Sequence, residues 1–288
     1  MSGASSSIWN VSLPSERTLV LRSMEPVHRR DASVYDREFI HSRIGLVQRR
    51  AVWNYLDLLL RNPGMHVLEL NTGEATDAMH IARQGHRVIA TDPSHQLLLS
   101  ASERIRQYGL EDRITLDRLP FEELGERPWP NAFDLVMSDT GGLNRLDQDG
   151  AARAIRDVAG LLRPTGRFVA VIQPDRCLRE TLHELSRGRW RVAFRRGKKD
   201  ELWSAFSGSG AVLWNHAPSL IERLAAPWFR TVNIRPVGFF VPPTHHESRY
   251  HDRPRLLDRL AALDERVAGW RWTARYADHY LIDLERRP

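Results

Sequence analysis

Residues 67–92 read VLELNTGEATDAMHIARQGHRVIATD, and the fold turns on how this stretch is parsed. Met65–Leu70 is a short apolar run suited to a buried parallel strand, entered from a Pro63-Gly64 turn. The apolar period then lengthens: Ala78, Ile81 and Ala82 share one face of a helix over 76–84, and Gly85 stands where a C-terminal cap belongs. Arg87–Thr91 reads as a second strand. The turn between the first strand and the helix must bend sharply and leave room beside its backbone. Gly73 meets both needs, and Asn71 tolerates a left-handed backbone. Ala75 replaces a third glycine at a position read as requiring only small size. Asp92 follows the second strand, 19 residues after Gly73, where an acid can accept hydrogen bonds from ribose hydroxyls. Its alternative role is an acid at a helix N-terminus, stabilised by the dipole. Turn and acid at this spacing favour a nucleoside ligand.

The alternation continues outward from that unit. Ser94 caps a helix to Tyr108, with Leu97, Leu98, Ala101 and Ile105 on its apolar side and Gly109 at its end. Ile114–Leu116 and Phe133–Ser138 are the third and fourth strands, and a helix from about Asp149 to Leu162 stops before Pro164. Arg167–Ile172 is the fifth strand. This rhythm predicts an α/β fold: a doubly wound, mostly parallel, seven-stranded Rossmann-like sheet with helices on both faces. Right-handed crossovers put the ligand outside the carboxyl ends of the strands, near 69–77, 92–95, 117–121, 138–144 and 173–177.

Bulk properties narrow the class. The chain has 288 residues, 42% hydrophobic and 27% charged, the balance of an ordinary globular protein. MSGASSSIWN lacks the basic and apolar pattern of a signal peptide, and no apolar run approaches the ~20 residues that span a bilayer. A cytoplasmic location without membrane contact is expected. Cys177 is the only cysteine, so an internal disulfide and a multi-cysteine metal site are excluded. The net charge of +6 is carried almost wholly by arginine, because Lys198 and Lys199 are the only lysines; mixed with 36 acidic residues, it argues against nucleic acid.

The segment 67–94, ending T-D-P-S, resembles motifs I and II of class I S-adenosylmethionine-dependent methyltransferases. The likeness extends to FDLVMSDTGGLN and LLRPTGRFVAVIQP, covering about residues 33–175. The resemblance implies S-adenosylmethionine as cofactor. It implies that Glu69, Asn71 and Gly73 line the methionine end and Asp92 the ribose. Pro93 and the backbone near Leu119, Pro120 and Phe121 would then flank the adenine, with Ser138 and Asp139 near the transferred methyl. Tyr35, in SVYDREF, matches a segment that often folds over the cofactor; an aromatic packed in an N-terminal helical cap is the alternative. Asp139 stands where relatives often have asparagine, so its carboxylate would favour a cation or accept a substrate proton, with a solvated loop acid as the alternative.

After Pro174 the alternation ends. The expected organisation is an N-terminal helical cap at 1–62, a cofactor-binding core at 63–174, a lid at 175–228 and a C-terminal completion of the sheet at 229–288. Arg189–Arg195 alternates and is predicted as a strand with Trp190, Val192 and Phe194 facing inward, paired with Gly210–Asn215. A helix over Pro218–Trp228, a strand over Thr231–Pro236, a helix over Pro254–Val267 and a strand over His279–Leu284 follow. Seven basic residues lie in 187–199, read as a charge-protected edge strand or, alternatively, a patch for an anionic partner. Trp203, Phe206, Trp214 and Trp228 suit an apolar or aromatic substrate site. The histidines of THHESRYH lack metal-ligand spacing. His216, at the end of a predicted lid strand, is the candidate general base. These features suggest methyl transfer to a small molecule in biosynthesis; a non-methylating reaction such as a cyclisation, or a non-catalytic binding partner of the same fold, are the alternatives.

Overall fold

A computed structural model describes residues 42–139, 141–194, 196 and 213–288. Seven strands form one sheet: β1 (His66–Leu70), β2 (Arg87–Thr91), β3 (Ile114–Asp117), β4 (Phe133–Ser138), β5 (Leu162–Ile172), β6 (Phe229–Val237) and β7 (His279–Arg286). Their order is β3-β2-β1-β4-β5-β7-β6. The first five are parallel, and β7 runs antiparallel to both its neighbours. The carboxyl ends of β1 to β5 therefore meet the start of β7 at one rim.

Helices cover both faces because alternate strand residues feed two separate cores. On one side, Val67, Val88, Leu135, Met137, Val169 and Val171 pack under α1 (Arg43–Leu59), α2 (Thr76–Arg83) and α3 (His95–Gln107). On the other, Leu68, Ile89, Val136, Phe168 and Ala170 pack under α4 (Gln148–Leu161) and, further along the chain, Ile221 and Ala225 of the helix Pro218–Ala225. The N-termini are fixed by side-chain caps: Ser42 accepts from Gly45 N (2.8 Å), Ser94 from Leu97 N (3.4 Å) and Asp147 from Gly150 N (2.7 Å).

The segment after β5 departs from the sequence expectation. Where a strand from Arg189 is expected, the described residues hold α5 (Leu178–Ser186) and a single helical turn, Trp190–Ala193. Trp190 and Phe194, expected to face inward, are 67% and 58% exposed, while Ala193 is buried and its carbonyl accepts from Thr181 Oγ1. Alternation alone does not make a strand. An edge to pair with is also needed, and residues 213–217 are irregular rather than extended in a ladder. Residues 197–212, including Trp203 and Phe206, lie outside the described residues, as does Tyr35. Among the described residues no helix is long and apolar enough to cross a membrane.

Candidate cofactor and active site

Three left-handed residues at alternate positions shape the turn between β1 and α2: Asn71 (φ 52°), Gly73 (φ 57°) and Ala75 (φ 58°). Position 75 therefore requires more than small size. Ala75 is fully buried, and its left-handed backbone costs about 1–2 kcal/mol relative to a right-handed one. Thr72 N donates to Thr91 O (2.8 Å) and Ala75 N to Thr72 O (3.0 Å), tying the turn to β2. Asp92 clasps it: Oδ2 accepts from Gly73 N (3.0 Å) and Oδ1 from Ser94 N (2.8 Å). Burial raises the Asp92 pKa, and these two N–H groups act against the rise. Each carboxylate oxygen keeps a further lone pair for an incoming hydroxyl.

Asn71 does more than replace a glycine. Its Nδ2 donates to Asp139 O (2.5 Å) and its Oδ1 accepts from Ser138 Oγ (2.6 Å), binding the turn to the end of β4. Asn71, Ser138 and Asp139, proposed separately from sequence, are one hydrogen-bonded unit.

Glu69 faces the α1 side of the sheet and is only 1% exposed. Burial, then the nearby Asp77, push its carboxyl pKa well above the usual carboxylate range. The Thr72 hydroxyl and Arg49 oppose that shift, yet Oε2 has no aligned hydrogen-bond partner. Arg49 Nη1 pairs with Asp77 Oδ2 (2.9 Å), and Trp53 Nε1 donates to Asp77 Oδ1 (2.6 Å). Sequence reading missed Gln48, Arg49 and Trp53 because nothing local marks a helix that supplies polar groups to a distant strand. Asp77 lay within the decisive stretch, and its buried place in the first turn of α2 was the available signal.

The remaining expected residues are spread along the rim. Pro93 is exposed, and its carbonyl accepts from Arg118 Nε (3.1 Å). Leu119 points into the core, and Pro120 caps the short helix Phe121–Glu126. Phe121 borders a cleft of about 380 Å³ together with Arg145, Leu146 and Trp214.

His216 does not sit on a lid strand. It lies in an irregular segment, 3% exposed, with Nε2 3.0 Å from Leu146 O and 3.2 Å from Leu143 O. A nitrogen facing two carbonyls carries the proton, so it donates to main chain and does not receive a proton there from a substrate. Tyr280 OH donates to His216 O (3.1 Å), which makes His216 a tie holding the segment to the sheet. Among the described residues no group of three or more His, Cys, Asp or Glu is placed to hold a metal ion.

Residues 67–166 match the family model of the methyltransferase domain. The methyltransferase GfsG of Streptomyces halstedii is 29% identical over 129 residues, which cover 43% of this chain and 42% of the relative. The chain thus spans under half the length of that curated relative. Among solved structures, geranyl diphosphate C-methyltransferase from Streptomyces coelicolor A3(2), bound to Mg2+, geranyl diphosphate and S-adenosyl-L-homocysteine, has a TM-score of 0.56 at 13% identity, covering 83% of this chain and 79% of that one. The [4+2]-cyclase SpnF has a TM-score of 0.52 at 18% identity, covering 80% and 77%. With its matched segment and its sheet order, the chain carries a methyltransferase domain over residues 67–166 on a Rossmann-like fold that it shares with these solved structures.

Proposed function

We propose that the chain catalyses methyl transfer from S-adenosylmethionine to a small molecule. One observation carries the reading: Asn71, Gly73 and Ala75 hold a strained turn whose central amide is gripped by Asp92. Strain of this kind persists where the surrounding structure imposes it, and such residues cluster at ligand sites. The residues fit the cofactor. Glu69, with an unpartnered buried Oε2, suits the ammonium of the methionine moiety. Asp92 has lone pairs for ribose hydroxyls, and Phe121 with the backbone of Leu119 and Pro120 suits the adenine edge. Ser138 and Asp139, fixed by Asn71, lie where the methyl is delivered. When bound, the cofactor supplies a methyl group activated on a sulfonium; the protein contributes the alignment of the two reactants. Titration calorimetry with S-adenosylmethionine is expected to give micromolar or tighter binding. Asp92→Ala removes an acceptor of charge-assisted bonds and should weaken it roughly 10- to 100-fold. Absence of binding to the wild-type chain would refute the proposal.

A second reading is supported by the structural likeness to a [4+2]-cyclase: the site holds the cofactor while the pocket shapes a reaction without methyl transfer. Product analysis separates the two. Stoichiometric S-adenosylhomocysteine excludes the cyclase-like reading, and unaltered cofactor after full substrate turnover establishes it.

A further inference from the structure

A small cavity lies between α1 and the sheet, bordered by Asp139 but distinct from the turn at 71–75. Asp139 after β4, Val171 of β5, His279 of β7 and Val237 of β6 line it, and Gln48, Arg49 and Val52 of α1 close over it. His279 reaches this rim because β7 is antiparallel: Tyr280 pairs with Ile172 at the end of β5, and His279 pairs with Val237 at the end of β6. The free space is about 10 Å³, the room of one water or hydroxyl.

The side chain behind His279 fixes which of its nitrogens carries the proton. Asp278 Oδ1 accepts from Arg196 Nη2 (2.7 Å), and Oδ2 accepts from Gln48 Nε2 (3.2 Å) and stands 3.3 Å from His279 Nδ1. Arg196 is itself held by Glu180 Oε2 (2.7 Å) and Asp278 O (2.9 Å). Burial alone would raise the Asp278 pKa, but His279 and Arg196 outweigh it and hold the carboxyl well below its usual range. A carboxylate only accepts, so neutral His279 carries its proton on Nδ1. The Nε2 edge then keeps a lone pair for a donor. Gln48 Nε2 is spent on Pro242 O and Asp278 Oδ2, so its Oε1 is turned away from both and is buried without a partner.

We propose that His279, oriented by Asp278, is the catalytic base for a hydroxyl acceptor, so that the substrate is an alcohol, phenol or enol. The inference rests on the methyl-transfer reading and names its acceptor atom. The hydroxyl oxygen forms a bond to the methyl carbon as the carbon–sulfur bond breaks. The bonding pair stays on sulfur, leaving a neutral thioether. The hydroxyl proton passes to His279 Nε2, and the imidazolium, stabilised by Asp278, returns it to solvent. The groups facing His279 are Asp278, with Arg196 behind it, Gln48 and Arg49 from α1, and Asp139 after β4; Val171 and Val237 bring no charge.

The test uses the full chain labelled with 15N-histidine and saturated with S-adenosylhomocysteine. Long-range proton–nitrogen correlation should show neutral His279 as the Nδ1–H tautomer, whereas His216 shows Nε2–H. An Nε2–H tautomer at His279 overturns the proposal without bearing on cofactor binding. His279→Gln should keep cofactor affinity within about twofold by calorimetry. With methyl-tritiated cofactor and a panel of phenols and secondary alcohols, it should lower turnover by ~10²- to 10⁴-fold and abolish the fall in rate toward acid pH. Turnover within a fewfold of wild type, with the acid limb retained, refutes the role. If no panel member reacts, or the variant fails to fold, the wild-type tautomer decides.

Discussion

Gly142 backs directly onto the Asn71 unit, which makes Gly142→Ala a sharp test of how the cofactor turn is held. A Cβ at 142 would lie 2.1 Å from Asn71 Oδ1, 2.4 Å from Asn71 Cγ and 2.8 Å from Ser138 Oγ. No real Cβ tolerates such contacts, so the Asn71 amide must leave its place. Leaving breaks two hydrogen bonds, to Asp139 O and from Ser138 Oγ, each worth about 1 kcal/mol net, and strands buried polar atoms at a further ~1–2 kcal/mol. The expected destabilisation is about 3 kcal/mol, measured by urea unfolding followed by circular dichroism. Asn71→Gly alone should cost about 2 kcal/mol, because it loses the same bonds while glycine adopts the φ of 52° freely. In that background the amide is gone and the added methyl enters vacated space, so Gly142→Ala should cost less than about 1 kcal/mol. The cycle therefore has a coupling of about 2 kcal/mol. Additivity of the two substitutions within about 0.5 kcal/mol would refute the reasoning, since independent sites behave that way.

Two further outcomes follow from buried carboxyls. Glu69, its pKa held well up by burial and by Asp77, keeps its proton more firmly than an ordinary carboxyl in the free protein, and a cationic cofactor group beside it favours ionisation. Cofactor binding should release a proton and tighten as pH rises; calorimetry in buffers of differing ionisation enthalpy measures this, and Glu69→Gln should abolish the release. Asp264 accepts from Phe240 N (2.6 Å) and Val241 N (3.3 Å), yet burial outweighs these bonds and raises its pKa to about 6. A raised acid favours the folded state most below its unfolded value of 3.8. Its contribution is lost as pH climbs through about 6 and is worth at most roughly 3 kcal/mol. Asp264→Asn should flatten that part of the stability–pH curve, and an unchanged slope between the two pH values would count against the burial argument.

The sheet was legible because each strand is a short apolar run bounded by Gly, Pro or a capping residue, and the helices between carry one apolar face. Phe133–Ser138 and Pro254–Val267 follow the predicted bounds for this reason. What sequence could not resolve depends on partners remote in the chain. WRVAF alternates as a strand would, but with no ladder in the described residues it folds as a helical turn and leaves Trp190 and Phe194 in water. Ala75 looked like a size requirement, since backbone handedness has no signature in a residue type that adopts it at a cost. His216 and His279 are alike on paper. The antiparallel insertion of β7 carries His279 to the rim, and two carbonyls from the loop after β4 occupy His216.

The two faces of the sheet bury different chemistry, and that asymmetry argues for a ligand under α1. The core beneath α4 is mainly apolar, and its buried Asn144 and His216 are met by main-chain partners. Under α1, near the rim, Glu69, Asp77, Arg49, Gln48, Asp278 and His279 are all buried. Burying such groups is unfavourable unless they are paired, and replacing paired ions by apolar side chains is often stabilising. Pairing is good for Asp77 and Asp278 but stops short of Glu69 Oε2 and Gln48 Oε1. The unmet acceptor at Glu69, beside the strained turn, is a cost to the free protein that a donor-bearing ligand removes. Such a ligand raises stability by mass action, about 2.7 kcal/mol at a hundredfold excess over its Kd. The same polar row that weakens the free fold is thus what makes its folded state responsive to the cofactor.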